Sequence, residues 1–200
     1  MQAPYFALAR FAAPAAILVF PKPRDDEPLV LAGWHYARGI AYALQGNADT
    51  AETEAVAIDA LAARDLSAFD TAQVPAKSIM EIAAHLVRAK ASAAGGKLDD
   101  AQRHAEAAMA TESTLPYMEP PYWYMPSSLT LAAIQLRRDD ARSAIASFEA
   151  ALSKAPNSVW ALQGLRRAQL ASGDTAAATA TQQRLDSVSA GTPELPLERY

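Results

Sequence analysis

The chain has 200 residues, 51% of them hydrophobic and 20% charged, with a formal net charge of −4; that balance fits one globular domain and excludes wholesale disorder. It contains no cysteine, which excludes disulfides, zinc–thiolate sites, iron–sulfur clusters and cysteine nucleophiles, and leaves either cytoplasm or periplasm open to a soluble protein. The two halves carry −3 and −1 with no basic stripe, so nucleic acid is not an expected partner.

Alanine makes up 48 of the 200 residues. It has the best helix propensity, so an all-α fold is expected from the start. Residues 2–11 and 14–20 read as a short N-terminal helical hairpin, followed by a charged loop over 22–28. The uncharged stretch Phe11–Pro21 is about half a bilayer span and contains Pro14, so no membrane span is expected. A signal peptide is not expected either, because Pro21-Lys22-Pro23 stands where a small-residue cleavage site would fall. Further helices are predicted over 29–45, 48–64, 76–94, 98–113, 126–138, 140–154, 158–172 and 174–188. Two linkers, 65–75 and 115–125, interrupt them. Residues 189–200 read as a polar, proline-containing tail, expected to fray.

These helices repeat. Residues 35–51 and 85–101 align at an offset of 50, matching His35 with His85, Arg38 with Arg88, Gly46 with Gly96 and Ala51 with Ala101. Copies at 126–157 and 158–188 follow. A small residue sits midway along the first helix of three copies, at Gly39, Ala89 and Ala132, whereas the fourth has Arg166. The turns are Gly46, Gly96, Asp139 and Gly173, and an alanine follows in the second helix each time, at Ala51, Ala101, Ala144 and Ala178. Glycine suits a left-handed C-cap. Asn47, Asp140 and Asp174 stand where the second helix needs an N-cap. Alanine at a helix crossing permits close approach.

This pattern resembles the tetratricopeptide repeat, a helix–turn–helix unit of 34 residues. The resemblance covers roughly residues 32–188, with copies over 32–64, 76–114, 126–157 and 158–188. It implies an α-solenoid of stacked hairpins, a right-handed superhelix, in a single repeat domain. The segment Glu119-Pro-Pro-Tyr-Trp-Tyr124 and the His35-Tyr-Ala-Arg-Gly39 stretch also resemble the C-terminal part of longer bacterial tetratricopeptide proteins, most of them uncharacterised. Those proteins carry further His-rich repeats upstream.

Three constellations bear on function. The linker Tyr117–Pro126 holds four of the chain's aromatics and three prolines, as a stiff binding wall would, or as a plug for the irregular repeat step would. Its candidate binding residues are Glu119, Tyr122, Trp123 and Tyr124. His35, His85 and His104 lack ligand spacing, so they are expected to be structural, with neither metal nor cofactor. By the resemblance, the concave face of the first helices presents Tyr36, Ile40, Leu86, Lys90, Leu129, Arg137, Trp160, Gln163 and Arg167. A two-carboxylate clamp would need Lys and Asn where Tyr36 and Ile40 stand, so that specialised site is not expected.

The leading expectation is a non-enzymatic scaffold that binds a protein or peptide segment, an acidic one suiting Lys90, Arg137 and Arg167. No catalytic motif is present. One alternative is a self-associating module that uses the apolar N-terminal hairpin to form a homo-oligomer. The other is a small-molecule or metal-binding, enzyme-like protein with a pocket near Glu119 and Tyr124.

Overall fold

The computed structural model describes residues 3–189, 191 and 194–200. It is all-α, with eleven α-helices and no strand among the described residues. Two compact units divide the chain, Met1–Tyr124 and Met125–Tyr200.

In the first unit, α1 (Ala3–Phe11) and α2 (Pro14–Leu18) form the short hairpin and pack on α3 (Pro28–Leu44). Next come α4 (Ala48–Ala62), α5 (Ser67–Thr71), α6 (Ala76–Ala94) and α7 (Leu98–Ser113). Helix α4 packs against both α3 and α6, and α6 against both α3 and α7. Each hairpin thus covers the face its neighbour exposes. The linker 65–75 contains the helical turn α5, which the sequence pattern did not predict.

The second unit comprises α8 (Ser128–Arg137), α9 (Ala141–Lys154), α10 (Val159–Ala171), α11 (Thr175–Val188) and a 3₁₀ turn at Leu197–Arg199. Here α8 packs on α9, α9 on α10, and α10 on α11.

Local chemistry explains the hairpins. Gly46, Gly96 and Gly173 adopt φ of 78°, 75° and 84°, and Asp139 takes the same left-handed conformation at 60°. This is the C-cap geometry that ends each first helix. The side chains of Asn47, Asp140 and Asp174 accept from the backbone N–H groups of Thr50, Ser143 and Ala177, and so start the second helices. Ala51, Ala101, Ala144 and Ala178 are all buried. A β-carbon added to Gly39 would lie 2.6 Å from a methyl of Val87, so α3 and α6 approach closely there. In the fourth copy a close approach falls at Gly164, where an added β-carbon would lie 2.2 Å from the Phe148 ring. Arg166, the residue in register with the small residues of the other copies, is half-buried instead.

Two features repeat inside the hairpins. Ser147 Oγ donates to Gln135 Oε1 at 2.8 Å, and Thr181 Oγ1 donates to Gln169 Oε1 at 2.8 Å. The second pair lies one 34-residue repeat beyond the first. In the first unit the pairs His35–Glu54 and His85–His104 likewise occupy equivalent places, each spanning 19 residues.

No described helix is long and apolar enough to cross a membrane.

Candidate binding surface

The aromatic linker does not form a binding wall at Trp123. The indole is 5% exposed and belongs to the core of the first unit. It lies 5.0 Å from the Phe6 ring and 5.5 Å from the Tyr36 ring, edge-on to both. Tyr124 stacks on Phe6 at 4.8 Å. Tyr36, assigned from sequence to the concave face, is 3% exposed in the same cluster. The reason is the N-terminal hairpin. Helix α1 brings Phe6 against α3, and the chain after α7 closes over both. Burial holds the Tyr36 hydroxyl well above its usual range and raises that of Tyr124 as well.

The remaining linker residues have other surroundings. Tyr122 is half-buried, and its hydroxyl donates to the Gln73 carbonyl at 3.0 Å. Glu119 is exposed and accepts from the Tyr117 hydroxyl at 2.8 Å. Solvent thus surrounds Glu119 and an aromatic core surrounds Tyr124, which is not the convergence a shared pocket requires.

A buried polar network lies between α3 and α4. Glu54, 7% exposed, accepts from His35 Nδ1 at 2.6 Å and from Arg38 Nε at 2.8 Å. The Arg38 guanidinium also donates to Tyr42 Oη and lies 4.5 Å over the Trp34 ring. A buried carboxylate persists only when paired in this way. Between α6 and α7, His85 Nδ1 and His104 Nδ1 are 3.2 Å apart. The two histidines face each other within one hairpin, 19 residues apart in sequence, a separation that short-range ligand spacing does not reveal. Burial, the largest cause, holds both imidazoles below their ordinary value; Arg88 beside His85, and His85 beside His104, add to it. Among the described residues, no group of three or more His, Cys, Asp or Glu is placed to hold a metal ion. Lys90 lies half-buried on α6.

In the second unit, the predicted groove residues lie mainly on α10. Trp160 is 6% and Gln163 3% exposed. Arg166 and Arg167 follow along the helix, and Arg137 is exposed at the end of α8. The tail does not fray over its described residues but returns to α10. Glu194 Oε1 accepts from Arg167 Nε at 2.7 Å and from Arg166 Nη2 at 3.0 Å. The Leu195 N–H donates to Gln163 Oε1 at 3.2 Å. Tyr200 is fully buried, edge-on to Phe148 at 5.8 Å and 6.4 Å from the Trp160 ring. Arg167 beside it holds the Glu194 carboxyl below its usual range, and burial pushes the Tyr200 hydroxyl up to about 12. Chemically, the face offers a guanidinium pair, an amide acceptor for a backbone N–H, and an aromatic seat.

The architecture defines a class first: stacked helical hairpins with glycine or aspartate turns and alanine crossings. Within that class, residues 135–195 match the tetratricopeptide repeat family model, so this stretch of the chain is similar to that family. Repeats of this family generally mediate protein–protein interaction and are generally not enzymes. Searches of curated proteins and of solved structures find no match.

Proposed function

We propose that the chain is a non-enzymatic scaffold that binds an extended protein or peptide segment on the first-helix faces of its repeats. Arg137, Arg166 and Arg167 contribute the charge in the second unit, and Lys90 in the first. One observation carries this reading. The α10 side chains Gln163, Arg166 and Arg167 already hold the tail segment, residues 194–200, through one backbone N–H and one carboxylate. Recognition of backbone and carboxylate together is how helical grooves take extended ligands. An array of acidic, neutral and basic extended peptides, titrated against the full-length chain, tests the reading. Acidic peptides should bind best, weaken as salt rises, and lose at least about ten-fold affinity with Arg167→Glu. Binding indifferent to peptide charge and to Arg167→Glu would sink it.

Self-association is a second reading, favoured by the apolar surface of the N-terminal hairpin. Phe11 is 71% and Val19 80% exposed. An open apolar groove of about 490 Å³ is lined by Pro4, Ala7, Leu8, Phe11, Ala12 and Phe20. Exposed apolar patches of this kind mark association surfaces.

A further inference from the structure

Apart from Tyr200, which is buried in the core, the tail lies against α10 as a bound ligand would. Of its described residues, only Tyr200 is buried; Glu194, Pro196 and Glu198 are exposed. Its polar contacts to α10 run through side chains of a helix that is complete without them: α10 has its own N-cap in Ser158, whose Oγ accepts from the Ala161 N–H. The fit is also incomplete. Among the described residues, the buried Arg166 Nε and Tyr200 hydroxyl have no hydrogen-bond partner. Each such atom loses its hydration without replacement. A segment that met Arg166 Nε, or carried phenylalanine in place of the tyrosine, would bind the same face better than the tail does.

We propose that residues 194–200 are a built-in ligand of the α10 face, and that in trans the face takes a protein segment of the same chemistry: a carboxylate followed by leucine, with an aromatic anchor six residues beyond the carboxylate. The inference rests on the reading of α10 given above and adds the ligand's chemistry and its control. Carboxylate and anchor engage separate places, Arg166–Arg167 and the Phe148–Trp160 seat. The tail leaves α11 at Val188, and Glu194 meets α10 six residues later. So short a tether holds the tail at an effective concentration on the order of mM. A tail of roughly 0.1 mM intrinsic affinity then leaves the face open about a tenth of the time, and an incoming segment appears about ten-fold weaker than its intrinsic affinity.

The test uses a fluorescein-labelled peptide of sequence Glu-Leu-Pro-Leu-Glu-Arg-Tyr, titrated by fluorescence anisotropy against the full-length chain. Glu194→Lys alone, which leaves the buried ring in place, should tighten binding a few-fold. Glu194→Lys with Tyr200→Ala should tighten it by up to about ten-fold. Arg167→Glu combined with Glu194→Ala and Tyr200→Ala should abolish binding, and a peptide with lysine in place of its first glutamate should restore it. A Tyr200→Phe chain should bind the peptide more weakly than wild type, because its tail seats better. Thermal melts by circular dichroism identify any variant that fails to fold, in which case the Glu194→Lys and Tyr200→Phe comparisons decide. Equal binding by wild type and tail variants would overturn the built-in ligand while leaving the α10 face as a binding site. No binding by any folded variant would overturn both.

Discussion

Trp123 and Gly164 show how one residue's role follows from its contacts. Trp123 fills the space between Phe6 and Tyr36. Trp123→Ala should therefore cost about 3–5 kcal/mol in urea or guanidinium unfolding, through lost burial and a residual cavity. Its indole N–H has no hydrogen-bond partner among the described residues. Trp123→Phe removes that unmet donor along with part of the ring, and its cost should be visibly smaller. A Trp123→Ala chain as stable as wild type would remove the residue from the core. Gly164 has the opposite problem, because a methyl group there would sit within 2.3 Å of two Phe148 ring carbons. Alanine has the better helix propensity, yet Gly164→Ala should destabilise by roughly 1–3 kcal/mol through overpacking. The double variant Gly164→Ala, Phe148→Leu should recover part of that loss in the same assay.

At the scale of elements, polar pairs fix how the helices of one hairpin meet. The His85–His104 pair joins α6 to α7 with its two Nδ1 atoms 3.2 Å apart. One ring donates and the other accepts, so the contact requires at least one neutral imidazole. Asp59 and Glu81 near His85, and Glu52 near His104, pull the other way from burial but do not prevail; Arg88 acts with burial at both rings, and Arg103 at His104. The sign follows from linkage. Both folded-state values lie below the ordinary histidine value of about 6.5, so below that pH the unfolded chain binds more protons than the folded one. Stability from this pair is present above about pH 6.5 and falls as the solution is acidified through the lowered values. Thermal melts between pH 7.5 and about pH 5 should show a declining Tm. The decline should be shallower in His104→Gln, which keeps a polar partner for His85 but cannot be protonated. Parallel curves for the two proteins would contradict the assignment.

At the scale of the whole molecule, an apolar surface remains on the N-terminal hairpin. Phe6 and Ile17 are buried against α3, but Phe11, Val19 and Phe20 remain exposed. A repeat face left in solvent is ordinarily polar. If this surface associates with a second copy, light scattering should show the average mass rising with concentration, and Phe11→Glu should abolish the rise without lowering Tm. A mass constant over the same range would dismiss self-association through this hairpin.

The helices were legible because their signals are local. Glycine or aspartate in a left-handed turn, Asn47, Asp140 and Asp174 at the N-caps, and alanine at the crossings act through neighbours close in sequence. A register of copies then makes stacked hairpins the economical reading. The roles of the aromatics and charges were not legible, because they depend on contacts between distant parts of the chain. Trp123 becomes core only when α1 brings Phe6 to it, and His85 finds its partner in the helix that follows rather than in the neighbouring repeat. The tail read as frayed because its composition is polar and proline-containing. Nothing local announces that Glu194 will meet Arg166 and Arg167, or that Tyr200 will be buried beside Phe148. Periodicity and capping chemistry set the elements; long-range packing and charge pairing decided which side chains are core, which are paired, and which surface is occupied by the chain's own tail.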